Sequence, residues 1–243
     1  MTTKLKKIGQ MGSLLTFAML AGASSLVQGA EIAVKSGEKI AFMGDSITAA
    51  GAKPNGYVRL TISGLESAGV KTTAIPAGIS GHKSNQMLGR LEKHVLSKKP
   101  DWMTLSCGVN DVWHGKRGVL LDQYKVNITK IVDQCQAADI KVMLLTSTMI
   151  KEDQTNEKNQ TLKGYNDFLI ELAKEKKCLI ADLNADMQAI IAASEDKKGG
   201  KLLTRDGVHM NAMGNKMMAT GLLKAFGLSA DQIKKAQASW ESK

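Results

Sequence analysis

Four short polar segments carry side chains whose types could perform nucleophilic chemistry. Ser46 lies in Gly44-Asp45-Ser46-Ile47-Thr48, directly after the apolar run Lys39–Met43. A serine alcohol is a weak nucleophile until a neighbouring base takes its proton. A candidate base stands far down the chain, His209 in Asp206-Gly207-Val208-His209. An Asp and a His three apart in a loop can face one another, so that the carboxylate holds one ring nitrogen and the other turns to the serine.

Acyl transfer also needs donors for the charge that develops on the carbonyl oxygen. Two segments offer them. In Ile79-Ser80-Gly81-His82, glycine lets a backbone N–H approach substrate with no side chain in the way, and in Gly108-Val109-Asn110-Asp111 the Asn110 amide can donate. Taken singly, each segment also reads as turn chemistry, Ser46 as a helix cap and His209 as a surface loop residue. Together, in this order, they form a constellation suited to acyl transfer. Asp45, His82, Trp113 and His114 lie beside them and are candidates for substrate contact, with an exposed loop as the competing reading.

Such residues work only if the fold gathers them. Five short apolar runs, Lys39–Met43, Val70–Ile75, Trp102–Cys107, Lys141–Thr146 and Cys178–Leu183, are each closed by Gly, Pro, Ser, Asp or Asn. Between them lie stretches of helical period. The clearest is Leu121–Ala138, with Tyr124, Ile128, Ile131, Val132 and Cys135 on one face, followed by Leu162–Lys177 and Met210–Phe226. Near-continuous apolar strands separated by helices predict a parallel sheet covered on both faces. The expected fold is therefore α/β, a three-layer α/β/α sandwich on a five-stranded parallel sheet, flavodoxin-like. Ligands of such sheets bind outside the carboxyl ends of the strands, where Ser46, Gly81 and Asn110 fall. His94 reads as structural, and the polar stretch Asp231–Lys243 around Trp240 as a surface helix.

The four blocks resemble those of the SGNH hydrolases, the GDSL-type esterases and lipases. Gly44-Asp45-Ser46 matches their first block, Gly81 their second, Gly108-Val109-Asn110-Asp111 their G-x-N-D and Asp206-Gly207-Val208-His209 their D-x-x-H. The likeness runs from about Ile40 to Gly227. The order Ser, Asp, His is shared with α/β-hydrolases, whose G-x-S-x-G elbow is missing here. The resemblance implies Ser46 as nucleophile, His209 as general base and Asp206 as its orienter. It implies an oxyanion hole of the Ser46 N–H, the Gly81 N–H and the Asn110 side chain, with no metal and no organic cofactor. Met210 departs from the proline that many relatives carry after the histidine, a matter of loop stiffness.

The chain opens like a secretory signal. Lys4, Lys6 and Lys7 precede an uncharged apolar stretch, Met11–Val27, then come the small residues Gly29 and Ala30, with Glu31 the first acid. The competing reading, a membrane anchor, needs ~20 apolar residues, more than this run provides. The expectation is a signal peptide over residues 1–30 and an exported protein, periplasmic or secreted, without stable membrane insertion after cleavage. Residues 31–243 would form one hydrolase domain with its core at about 38–228. Without the leader's three lysines the net charge falls from +10 to +7, spread in short groups such as Lys98-Lys99, Lys176-Lys177 and Lys197-Lys198. That pattern reads as a solvated surface, attraction to an acidic polymer or anionic membrane being the sharper alternative. With aromatic residues at only 4% and none interleaved with a basic run, nucleic acid is not an expected partner. Cys107, Cys135 and Cys178 sit in apolar segments and read as free thiols, one bridge at most. The four histidines are scattered and show no metal-ligand spacing.

The leading expectation is an exported serine hydrolase acting through an acyl-enzyme on Ser46, with a small-molecule or carbohydrate ester as substrate. Short O-acetyl esters of a carbohydrate fit the export signal, the lack of an apolar lid and the Gly-Asp-Ser-Ile-Thr variant. The alternatives are a lysophospholipase or thioesterase of the same family, or a non-catalytic carbohydrate-binding protein on this fold. Loss of the serine, histidine or asparagine would have favoured the last.

Overall fold

The computed structural model describes residues 1–2, 31–195 and 201–241. The signal-like segment and the Lys197-Lys198 pair lie outside the described residues. Five strands, β1 (Lys39–Gly44), β2 (Thr73–Gly78), β3 (Trp102–Ser106), β4 (Lys141–Leu145) and β5 (Leu179–Ala181), pair in parallel in the order β2-β1-β3-β4-β5. Every position of β3 is buried, as a central strand of a doubly covered sheet requires. The chain leaves β1 for the edge strand β2 and then returns to the other side of β1 as β3. At that reversal the flanking loops diverge and open a crevice. The register levels the strand ends: Gly44 faces Gly78, and Met43 faces Leu105. The segments that follow β1, β2 and β3 consequently emerge on one rim.

Helices α1 (Ser46–Gly51), α2 (Tyr57–Ser67), α3 (Ser84–Gly89), α4 (Leu91–His94), α5 (Val109–Trp113), α6 (Leu121–Ala137), α7 (Glu157–Glu175), α8 (Leu183–Ala193), α9 (Ala212–Ala225) and α10 (Ala230–Glu241) complete the described fold. α2, α9 and α10 pack together on one face of the sheet, while α6 and α7 cover β4 on the other. Tyr57 is fully buried and joins three elements that bear on the rim. Its hydroxyl meets Thr48 Oγ1 of α1 at 2.8 Å, its N–H donates to Asn215 Oδ1 of α9 at 2.9 Å, and its ring packs edge-on against Phe42 of β1. Burying a side chain of that size contributes roughly 1.5–3 kcal/mol, and here it also fixes α1 against the sheet.

The structure differs from the sequence reading at several boundaries. The second strand lies three residues later than expected, because the run continues through Pro76. A proline removes a ladder donor, which an edge strand paired only with β1 tolerates. α7 begins at Glu157 rather than Leu162, since the Asn156 side chain caps it by accepting from the Asn159 N–H. α9 starts at Ala212 rather than Met210 for the same reason, with Asn211 as its cap. Packing also extends past residues 38–228: Val34 is buried, and α10 lays Ile233, Ala236 and Trp240 against α2 and α9. All three cysteines are free, Cys107 and Cys135 buried and Cys178 half-buried. Among the described residues no helix is long and apolar enough to cross a membrane.

Candidate active site

Ser46 is the first residue of α1, two residues beyond the end of β1, so its side chain stands at the strand's carboxyl end. The N–H groups of a helix's first turn have no partner within the helix, which leaves the Ser46 N–H available to a ligand. Asp45 caps the helix, its Oδ1 accepting from the Ile47 N–H at 2.9 Å. Its other oxygen accepts from Asn110 Nδ2 at 3.2 Å. Asp45 is only 2% exposed, and burial pushes its carboxyl up to about 6 against the pull of the Ile47 N–H and the His209 ring. Asp45 is thus not the substrate contact expected from its sequence position, but lies beneath the site and braces the Ser46 and Asn110 segments together.

His209 reaches the serine across 163 residues of sequence, its Nε2 2.9 Å from Ser46 Oγ. On the other side of the ring, Nδ1 lies 2.7 Å from Asp206 Oδ2. The turn is wound around that carboxylate, for Asp206 Oδ1 also accepts from the N–H groups of Val208 and His209 at 3.0 and 2.8 Å. Partial burial alone would raise the Asp206 carboxyl, but these donors and the His209 ring bring it down to about 2. Gly207 has φ +90°, a left-handed conformation that disfavours side chains. With the carboxylate holding Nδ1–H, Nε2 is left as the acceptor for a serine proton.

Asn110 lies in the first turn of α5 after Gly108, whose φ is +139° and whose missing Cβ leaves room for the Ser147 side chain. The Asn110 amide donates to Asp45 Oδ2 and to the His82 carbonyl, each at 3.2 Å. Both bonds are long, and an anionic oxygen would compete well for such a donor. Gly81, with φ +77°, is exposed in the loop after β2, and nothing lies within 4 Å of where a Cβ would sit. That loop is held to α5 by Asp111, whose Oδ1 accepts from the Ser84 N–H at 3.0 Å and the Ser84 hydroxyl at 2.6 Å.

Ser46, Val109, Asn110, Trp113, Asp206, Val208 and His209 line one cavity of about 320 Å³. Trp113, 37% exposed, presents its indole there, with Lys158 Nζ 4.7 Å from its ring centre and donating to its carbonyl at 2.9 Å. Of the four expected substrate contacts, Trp113 alone lines this cavity. His114 stands outside it, half-buried beyond the end of α5. His82 is turned the other way, its Nδ1 accepting from Arg90 Nε at 3.1 Å. Burial and the Arg90 charge lower its pKa and favour that neutral, accepting ring.

Arg90 was not singled out in the sequence. Its guanidinium, 8% exposed, donates to the Ala77 carbonyl at 2.7 Å and to the Gly44 carbonyl at 2.8 Å, tying the ends of β1 and β2 to the Gly81 loop. A signal existed: Met87, Arg90 and Leu91 share a helical face, and a cation between two core positions needs buried acceptors. Among the described residues no group of three His, Cys, Asp or Glu side chains is arranged to hold a metal ion.

Comparison with known proteins adds relatives of stated activity. Residues 42–217 match the GDSL-like lipase/acylhydrolase family. The chain is 26% identical over 216 residues to an acetylxylan esterase of Geobacillus stearothermophilus, covering 80% of this chain and 96% of that one. The crystal structure of that organism's acetylxylan esterase Axe2 superposes with a TM-score of 0.74 over 81% of this chain and 97% of its own, at 26% identity. A second acetyl xylan esterase, AlAXEase, superposes with a TM-score of 0.71 at 34% identity, over 77% of this chain and 98% of its own.

Proposed function

The chain belongs to the GDSL-like lipase/acylhydrolase family, and from that premise we propose that it removes short acyl groups, acetyl foremost, from a carbohydrate through an acyl-enzyme on Ser46. It is a carboxylic-ester hydrolase, and its relatives include acetylxylan esterases. The observation that carries the mechanism is the line from Ser46 Oγ through the His209 ring to Asp206, at 2.9 and 2.7 Å, opening on a small cavity.

Ser46 Oγ attacks the ester carbonyl carbon as its proton passes to His209 Nε2. The carbonyl oxygen becomes an oxyanion, held by the Ser46 N–H, the Gly81 N–H and the Asn110 amide. Collapse breaks the bond to the sugar oxygen, which leaves as the alcohol with the proton from His209. Water then attacks the acyl-enzyme by the same route, releasing the carboxylic acid and restoring Ser46. Asp206 stays ionised throughout and stabilises the transient imidazolium.

Cavity size supports a short acyl group. About 320 Å³ must hold the acyl group and the first part of the alcohol, and its apolar lining is limited to Val109, Val208 and Trp113. Each methylene is discriminated by only about 1–3 kcal/mol, so the preference is graded. On a panel of p-nitrophenyl esters, acetate should turn over fastest and rates should decline with chain length. Rates rising steadily to long chains would instead support the lysophospholipase reading. Trp113 is the stacking surface for the sugar: Trp113→Ala should raise KM for acetylated xylo-oligosaccharides several-fold, an order given by about 0.5–1.5 kcal/mol for a ring contact. KM for p-nitrophenyl acetate should rise less, and an equal rise on both would remove the sugar platform.

Export completes the proposal, supported by the order of charge, apolar run and small residues before Glu31. N-terminal sequencing of the native protein should find a start near Ala30 or Glu31. An intact Met1 in the cytoplasmic fraction would overturn it.

A further inference from the structure

Glu152 is a buried carboxylate that the acyl-transfer scheme above does not use. It is 8% exposed, in the loop between β4 and α7. Its Oε2 accepts from the Leu202 N–H at 2.8 Å, and its Oε1 accepts from the Leu203 N–H at 2.9 Å and the Thr204 N–H at 2.6 Å. The Thr204 hydroxyl donates to the same Oε1 at 2.6 Å. One side chain thus gathers three consecutive backbone donors and a hydroxyl, all just upstream of Asp206.

The contact continues into the turn itself. The Thr204 hydroxyl accepts from the Gly207 N–H at 3.1 Å, and Gly207 sits between Asp206 and Val208. From the same side, the Lys151 N–H donates to the Gly207 carbonyl at 2.6 Å. The Arg205 N–H donates to the His209 carbonyl at 2.8 Å, and Thr204 bridges Met210, which closes the turn on itself. Lys151 and Glu152 both adopt left-handed backbone, φ 58° and 51°, a region non-glycine residues seldom occupy. Their loop is pinned in turn by buried Asn159, which accepts from the Ile150 N–H and donates to the Ile150 carbonyl, each at 2.8 Å.

We infer that Glu152 is a positioning residue for the hydrolysis, setting the Asp206–His209 turn against Ser46 through the Thr204 hydroxyl. The inference rests on Asp206 and His209 acting as proposed above. Its physical basis is that His209 arrives on a loop, whereas Ser46 is anchored directly to β1. A loop left to itself would sample many placements, and a displacement of about 1 Å at a reacting group can cost on the order of 10²-fold in rate. Glu152 and α7 supply the rigid support that the turn lacks.

Two substitutions test this without emptying the site. Glu152→Gln keeps one acceptor oxygen but points an N–H at a backbone N–H, and Thr204→Val keeps the backbone bonds to Glu152 while cutting the link to Gly207. Each should lower kcat on p-nitrophenyl acetate by about 10- to 100-fold, the scale of a sub-ångström to 1 Å misplacement, with KM little changed. Thr204→Ser should restore the rate. The double variant should lose little more than either single one, since the two residues act in one chain of contacts. The downfield proton resonance of His209 Nδ1–H should broaden or shift in both variants, at temperatures where circular dichroism shows them folded. A kcat within twofold of wild type and an unmoved resonance in both would overturn the inference. If His209→Ala itself retained activity, the reading of the triad would fail instead, and the resonance would still report whether Glu152 holds the turn.

Discussion

Ser46→Ala is expected to abolish turnover of acetyl esters and all labelling by a fluorophosphonate probe, while the protein stays folded. The reason is local. Among the described residues, Ser46 Oγ is the hydroxyl paired with His209 Nε2. Two other hydroxyls of the rim segments are already engaged. Thr48 Oγ1 is buried against Tyr57, and the Ser84 hydroxyl is buried on Asp111. Neither can move to the imidazole without breaking a buried contact. Asn110→Ala should be milder, about 10²–10³-fold in kcat, because two backbone donors remain. Equal labelling of wild type and Ser46→Ala would show that a different serine carries the acyl group.

Three motif residues were legible because each follows the carboxyl end of an apolar run, and parallel strands in level register bring such ends to one rim. Ser46, Gly81 and Asn110 are placed this way by the sequence pattern. His209 could not, since it follows no strand and depends on a turn wound around Asp206. Its motif spacing identified it, and the spacing works because three residues let one carboxylate accept both backbone donors and still face the ring. The substrate contacts were the weakest part. Being adjacent in sequence to a functional residue says little about direction: Asp45 points down into the core and His82 toward Arg90, while Trp113, one helical turn beyond Asn110, shares its face of α5. Arg90 and Glu152 escaped notice for a common reason. Each is a single charged residue in a mixed stretch, and each becomes buried by binding backbone groups of segments distant in sequence. No local pattern encodes such a partner.

His209→Ala should cost nearly as much as loss of the nucleophile, on the order of 10⁶-fold in kcat where a triad acts as a unit. Without the ring, Ser46 Oγ loses the acceptor 2.9 Å away that takes its proton. The same requirement gives a pH profile for the wild type. An imidazolium cannot accept a proton, so kcat/KM should fall on the acid side as His209 becomes charged. Asp206 does not set that limb, because its donors hold it at about 2 and it remains ionised across the working range. Asp45 acts in the opposite direction on stability. Its carboxyl titrates at about 6 in the fold, against about 3.9 in an unfolded chain. The protonated form is therefore the one the fold prefers: the contribution is fully present below the unfolded value and is lost as pH rises through about 6. The melting temperature should accordingly fall as pH rises from about 4 to about 6, the span between the unfolded and folded values of Asp45. Asp45→Asn should flatten the thermal trend and keep the acid limb due to His209. Its rate should nevertheless drop, because the new amide turns a donor toward Asn110 and displaces an oxyanion partner. An acid limb that vanishes in Asp45→Asn would assign the activity titration to Asp45 rather than to the base.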